Sequence, residues 1–260
     1  MADPALAEAV AGIAREAGQL AFARWRTDFA RWEKSPGSPV CEVDLDIDRM
    51  LRARLTALLP EAGWLSEETA DNADRLAARR VWVVDPIDGT RDYIRGRPGW
   101  CVSIALIEDG RPVLGVLDAP ARGETWTAAA GGGATLNGAG VRAGTRAMLD
   151  GARVPVDALP KADRILTAVE KPNSIALRIA MVADDRADLV ATLRWGNEWD
   201  IAAAVLLAAE AGAAATDALG AALAFNKPDP RAFGVLVSAP GIHGAAVAHL
   251  AERAAVAMGR

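Results

Sequence analysis

Two acids three residues apart, Asp85 and Asp88, close the apolar run Val81-Trp82-Val83-Val84 and lead into Gly89-Thr90. A strand that ends in a carboxylate puts that group where α/β sheets commonly keep their chemistry. In a tight turn the two side chains can point into one space. Gly89 permits close backbone approach, and Thr90 adds a hydroxyl and an N–H. Other acids fall at Asp44, Asp46, Asp48, Glu67-Glu68 and Asp200. Singly, each has an ordinary use: Asp44 as a helix N-cap, Glu67-Glu68 as a solvated loop, Asp200 at the positive end of a helix dipole, Asp46 and Asp48 as surface charge. Brought together, several carboxylates cannot all stay ionised without cations. Hard divalent ions with oxygen ligands resolve that conflict, Mg²⁺ first among them. The alternative chemistry, an aspartyl-phosphate formed on Asp85, fits less well, because Pro86-Ile87 separate the acids by two residues where that mechanism uses a D-x-D-x-T spacing.

Other motifs are excluded by spacing or supply. No GxxxxGK[ST] phosphate loop occurs, and the EF-hand pattern is absent around Asp85. His243 and His249 are the only histidines, which leaves little for a histidine metal site or a Ser-His-Asp triad. Cys41 and Cys101 are too few for a disulfide framework or a zinc ribbon and suit a reducing compartment as buried thiols. The net charge of −5 argues against a nucleic-acid polymer as partner, but a small phosphorylated ligand is compatible with it, since bound metal reverses the local field. The start "MADPALAEAV" lacks the features of a secretory signal, and no long uncharged apolar run predicts a membrane span. A cytoplasmic protein is expected.

These residues need elements to hold them. Leu6, Val10, Ile13, Ala17 and Leu20 recur at helical spacing, and Ile47, Leu51, Leu55 and Leu58 predict a second helix over 44–59. "EKSPGSP" (33–39) reads as a loop, and the polar stretch after "WLSEETAD" as helical or irregular. Strands are predicted at 81–84, 101–107 and 113–117, with Asp-Gly in "EDGRP" signalling a hairpin. The glycine-rich 128–140 reads as turns at the end of a sheet. Strand character returns at 164–169, a helix at about 174–183, and a short strand near 188–191. A helix from Asp200 carrying "IAAAVLLAAEA" is apolar nearly all round and should be buried. "AAATD" and "GVLVSA" are late strands, and "GIHGAAVAHLAERAAVAM" is a closing helix. Strands and helices in blocks indicate a layered α+β or mixed α/β fold. The expected division is an N-terminal region, residues 1–150, with most of the acids, and a C-terminal region, residues 151–260, with Asp200. The two are expected to interlock as one globular unit.

At this point the residues resemble the inositol monophosphatase superfamily of Mg²⁺-dependent, lithium-sensitive phosphatases. The resemblance is carried by "DPIDGT" (85–90), "SEE" (66–68) upstream, "SPVCEVD" (38–44) before it, and "WDIAAAVLLAAEAGA" (199–213) downstream. It covers nearly the whole chain, and it implies the αβαβα sandwich shared with fructose-1,6-bisphosphatases. It also implies roles. Glu67, Asp85 and the Ile87 carbonyl would bind a first metal; Asp85, Asp88 and Asp200 a second; Glu67 would help hold a weaker third. Thr90 paired with Asp44 would orient and deprotonate the attacking water. The backbone N–H groups of Gly89 and Thr90 would hold the phosphate, and Glu68 would stand behind the ligands. Two or three Mg²⁺ per site and a homodimer are family expectations. The chain departs from the family pattern at Cys41, where Thr is usual, at Asn173-Ser174, where a Gly-Ser pair opens a helix, and at Gly212-Ala213.

Within the superfamily the branch acting on adenosine 3′,5′-bisphosphate looks most similar. The signs are residues 103–128, Glu198 before Trp199-Asp200, and "FNKPDPRAFGVLVSAP" (225–240). A second phosphate could pair with Lys171, Arg178, Arg194 or Lys227, since guanidinium forks suit phosphate. Ser174, Arg178 and Glu198 are thus candidate substrate contacts. The alternatives are an inositol 1-phosphatase and a catalytically idle binding protein of the same fold.

Overall fold

A computed structural model describes residues 3–35 and 38–259. Helix α1 (Pro4–Arg24) starts where Asp3 caps Ala5 N at 2.9 Å and proline fills the first helical position. Strands β1 (Arg31–Ser35) and β2 (Ser38–Cys41) follow, then α2 (Glu42–Leu58), β3 (Gly63–Ser66), β4 (Arg80–Asp88) and the short α3 (Thr90–Ile94). Next come β5 (Cys101–Glu108), β6 (Arg111–Ala119), β7 (Glu124–Ala129), β8 (Gly133–Leu136) and β9 (Ala139–Gly140). The chain continues through β10 (Arg153–Pro155), β11 (Thr167–Val169), α4 (Ile175–Ala183), β12 (Leu189–Asn197) and α5 (Glu198–Glu210). It ends with β13 (Ala214–Thr216), β14 (Arg231–Ser238) and α6 (His243–Met258).

Strands β3 to β9 form one seven-stranded sheet in sequence order, parallel between β3 and β4 and antiparallel elsewhere. A second sheet has the order β12-β14-β13. Side chains alternate across the large sheet as a period of two requires. Trp82, Val84, Val102, Ile104 and Leu106 pack against α1 and α2, while Val81, Val83, Ala105 and Ile107 pack against α4 and α5. The far side of α4 and α5 meets Val190, Val235 and Val237 of the second sheet. The outer face of that sheet, Leu189 and Leu236, packs with Ala246 and Leu250 of α6. The layers are therefore α, β, α, β, α. Helix α5 lies between two sheets, which is why it is apolar all round. It approaches β6 so closely that a Cβ on Gly115 would lie 2.7 Å from the Ala203 carbonyl.

Several local expectations change. The segment 33–39 is not a plain loop: β1 and β2 pair antiparallel, Trp32 opposite Val40, while Pro36 and Gly37 of that reading lie outside the described residues. Helix α2 begins at Glu42, so Asp44 sits inside its first turn and Cys41 is the cap residue. Likewise α5 begins at Glu198, two residues before Asp200. The stretch after Glu68 holds only a short 3₁₀ turn, Ala73–Ala77, and strand character at 164–169 is confined to β11. The glycine-rich 128–140 carries β8 and β9. The Asp-Gly hairpin is present, with Asp109 at φ 50° and Gly110 at φ 77°.

Candidate active site

Strand β4 does not stop at Asp85 but runs on to Asp88. Its pairing with β5 slips on the way: Asp85 faces Ser103 and Asp88 faces Cys101. Three steps on β4 match two on β5, which is a β-bulge. In a regular strand, residues three apart point to opposite faces. The bulge cancels that alternation, and both acids line one cleft of about 620 Å³. Gly89 then turns the chain at φ 96° into α3.

Other elements bring the remaining acids to this cleft. Glu67 follows directly on β3, and its N–H reaches the Val84 carbonyl at 3.3 Å, prolonging the pairing with β4. Asp200 lies in the first turn of α5, with Oδ2 accepting from Asn197 N at 2.9 Å. Glu67, Asp85 and Asp200 each present an oxygen such that all three lie within 4.8 Å of one another. Asp88 lines the same cleft, and its Oδ2 accepts from Ser174 Oγ at 2.5 Å and Ala176 N at 2.7 Å. Asp85 Oδ1 accepts from Ile87 N at 3.0 Å. Thr90 Oγ1 stands 3.2 Å from Asp44 Oδ1 and 3.0 Å from the Ile87 carbonyl. Asp44 Oδ2 in turn accepts from Cys41 N at 2.9 Å and from the Cys41 thiol at 2.8 Å. Cys41 thus makes a hydrogen bond in the position where the family pattern has Thr.

Burial and mutual repulsion push these carboxyls up. Asp85, fully enclosed and facing Glu67, Asp88 and Asp200, is raised well above the ordinary range. Burial, with Asp88 nearby, raises Asp200 to about 8. Burial lifts Asp88 to about 6 even against its bonds from Ser174 and Ala176. It lifts Asp44 to about 6 against the bonds from Cys41, and Glu68 to about 7 against the Lys34 ammonium. Such a cluster carries more negative charge than the Lys34 ammonium on Glu67 and Glu68 can balance, and its donors are all hard oxygens. A divalent cation fits on both counts.

The sequence-predicted residues separate into those that meet here and those that do not. Glu67, Asp85, Ile87, Asp88, Gly89, Thr90, Arg178 and Asp200 line the cleft, together with Lys171 and Arg194. Ser174 does not: it is fully buried, and its hydroxyl donates to Asp88 while accepting from Leu177 N at 2.9 Å. It positions Asp88 instead of touching a ligand in the cleft. Glu198 is also buried and away from the cleft. Its carboxylate accepts from Asn226 N and Lys227 N and pairs with the Lys227 ammonium at 2.9 Å, which removes both Glu198 and Lys227 as substrate contacts. Asp48 is a further correction. It is not surface charge: it is 5% exposed and hydrogen-bonded to Ser66 and Thr69. Asp46 is exposed and pairs with Arg24 and Arg49. Glu67-Glu68 is not a solvated loop either; Lys34 of β1 reaches both, at 3.2 Å and 2.5 Å. The sequence reading missed Lys34 because it lay in a segment taken for a loop, and it missed Arg91 and Asn173, which also line the cleft.

The whole chain matches one family model, the inositol monophosphatase family, over residues 3–255. The chain belongs to that family. Its members are metal-dependent phosphatases, and the acid cluster described above is where this member could bind metal. Among its relatives, the Nus factor SuhB of Xylella fastidiosa is 36% identical over 204 residues, covering 73% of this chain and 72% of the relative. The 3′(2′),5′-bisphosphate nucleotidase CysQ of Aggregatibacter actinomycetemcomitans is 32% identical over 236 residues, covering 85% and 88%. The solved structure of the Thermotoga maritima IMPase superposes with a TM-score of 0.81 at 29% identity, covering 95% of this chain and 97% of that one. No helix among the described residues is long and apolar enough to cross a membrane.

Proposed function

We propose that this phosphatase uses Mg²⁺ to hydrolyse a nucleoside 3′,5′-bisphosphate of the adenosine type at its 3′-phosphate. One observation carries the reading. The cleft that gathers Glu67, Asp85 and Asp200 also presents Lys171, Arg178 and Arg194. A phosphate held at the acid cluster through metal leaves Arg178 and Arg194 for a second anionic group, beside a Lys171 that is paired with Asp157. Arg178 is the most committed of them: its guanidinium donates to the Ser174 and Asn173 carbonyls, which fixes its orientation, and burial depresses its pKa. A half-buried, oriented guanidinium suits phosphate binding. The likeness to CysQ supports the same choice.

Glu67, Asp85, the Ile87 carbonyl, Asp88 and Asp200 would hold two Mg²⁺, with a third shared at Glu67. Bound there, the ions neutralise phosphoryl charge and make water a stronger nucleophile. Gly89 and Thr90 would offer backbone N–H groups to the phosphate. The Thr90 hydroxyl accepts a proton from the attacking water and passes its own to Asp44, along the 3.2 Å contact. The water oxygen bonds to phosphorus as the P–O ester bond breaks and the departing oxygen takes a proton from solvent water. The chain's residues thus chiefly position the reactants and move the other proton, from the attacking water to Asp44. Asp44, at about 6, is mostly ionised near neutral pH and able to accept it.

A second reading is hydrolysis of inositol 1-phosphate, favoured by the match to the Thermotoga maritima IMPase. Phosphate release from adenosine 3′,5′-bisphosphate and from inositol 1-phosphate, compared as kcat/KM at one Mg²⁺ concentration, decides between them. A preference of roughly tenfold or more for inositol 1-phosphate, about 1.4 kcal/mol in transition-state binding, overturns the first reading.

A further inference from the structure

Helix α2 sends two buried acids in the same direction, Asp44 and Asp48. Four residues apart, they occupy one face of the helix, one turn apart. Asp44 reaches Thr90 at the start of α3. Asp48 reaches the end of β3, where its Oδ1 accepts from Ser66 Oγ at 2.5 Å and its Oδ2 from Thr69 Oγ1 at 2.6 Å. Those hydroxyls bracket Glu67-Glu68 in the chain. Ser66 Oγ also accepts from Glu68 N at 3.4 Å, so the grip extends into the bracketed backbone. The segment has other ties, the Glu67 N–H to Val84 O bond and the Lys34 ammonium on both carboxylates, but neither holds the backbone on both sides of Glu67.

We propose that Asp48 is a positioning residue for metal binding: it clamps the hydroxyls on both sides of Glu67 and so holds that carboxylate in register with Asp85 and Asp200. The inference rests on the reading of Glu67, Asp85 and Asp200 as metal ligands. A carboxylate is needed for this task because each hydroxyl has one proton to give, and two oxygens of one group accept both. Buried charge-assisted bonds of this kind hold geometry better than neutral ones. An amide at position 48 could accept from one hydroxyl but would have to donate to the other, which would turn its own proton away, and neither bond would be charge-assisted. Metal ligation punishes small displacements, and residues behind the ligands commonly matter ~10–100-fold in affinity.

The test is Mg²⁺ titration by calorimetry on metal-free protein without substrate, with kcat measured separately at saturating Mg²⁺. Asp48→Asn should weaken Mg²⁺ binding about tenfold or more, while kcat at saturating metal recovers to within about threefold of wild type. Thr69→Val, which keeps shape and removes one hydroxyl, should weaken binding in the same direction and add little in the Asp48→Asn background, since the two act through one contact. Thr69→Ser should restore wild-type affinity. Glu67→Gln serves as the reference for losing a ligand. If Asp48→Asn and Thr69→Val melt at lower temperature yet bind Mg²⁺ as wild type while Glu67→Gln does not, Asp48 is merely structural and the proposal is overturned. If Glu67→Gln also binds normally, the metal assignment beneath it is overturned as well. Should Asp48→Asn fail to fold, Thr69→Val alone decides by the same criterion.

Discussion

Asp85 is the residue on which most of the cluster's charge converges. It is buried, faces three other acids, and spends one oxygen on Ile87 N. Asp85→Asn keeps the shape and the possibility of that bond but removes a charge that cations would share. Activity should fall by at least ~100-fold with the fold intact by circular dichroism. A folded Asp85→Asn protein turning over like wild type at equal Mg²⁺ would contradict the assignment. The role proposed for Thr90 is different, since its hydroxyl contacts Asp44 and Ile87 O. Thr90→Ala should lower kcat roughly 100-fold or more, with Mg²⁺ affinity changed about twofold at most. The opposite pattern, intact kcat with weakened metal binding, would assign Thr90 to the metal site. Asp46 supplies the control: exposed and paired with arginines on the outer face of α2, it should tolerate Asn within about twofold.

At the scale of elements, the site depends on how strand ends and helix starts meet. The bulge in β4 brings Asp85 and Asp88 together, Gly89 turns the chain, and the start of α4 holds Asp88 through Ser174 and Ala176. Gly89 is a tight point against backbone. A Cβ there would lie 2.6 Å from the Gly99 carbonyl and 2.9 Å from Ser174 N, and φ is 96°. Gly89→Ala should therefore cost about 2–4 kcal/mol, a fall in Tm of roughly 5–10 °C, and should disturb the Asp88–Ser174 contact. A melt within about 1 °C of wild type would show that the turn relaxes freely. Much of this level was legible in sequence. Helical spacing marked α1 and α2, all-round apolarity marked α5 as buried between layers, and Asp-Gly marked the β5–β6 hairpin. The bulge was not legible, because an extra residue in a strand leaves no periodic trace and Asp85–Gly89 reads equally as a turn. Nor was the burial of Ser174, Glu198 and Asp48. Whether a polar side chain faces a cleft or braces it from behind depends on neighbours distant in sequence: Asp88 for Ser174, residues 226–227 for Glu198, Ser66 and Thr69 for Asp48.

For the molecule as a whole, the acid cluster sets a pH dependence of stability and ties it to metal. Burial raises Asp44 and Asp88 to about 6, Glu68 to about 7 and Asp200 to about 8, against ordinary carboxyl values near 4 in the unfolded chain. The metal-free native state then holds more protons than the unfolded state between about pH 4 and 8, so unfolding free energy falls as pH rises through that window. His243 works the other way: burial lowers its pKa, so its contribution grows as pH rises up to about 6.5 and is complete above that. It is one group against five, since Asp85 is raised as well. Carboxylates held low by partners, such as Asp163 beside Arg253 and Asp188 beside Arg153, are ionised in both states above about pH 5 and are silent there. Metal-free protein should accordingly melt at lower temperature at pH 8.5 than at pH 5.5. The Mg²⁺ proposed above would bind the ionised cluster, so its stabilising effect should be larger at pH 8.5, and binding near pH 7 should release protons. Calorimetry in two buffers of different ionisation enthalpy counts those protons. A metal-free melting temperature that rises steadily from pH 5.5 to 8.5, with no proton release on adding Mg²⁺, would mean that the cluster is already neutralised from within, the Lys34 ammonium on Glu67 and Glu68 being the nearest cation placed to do it.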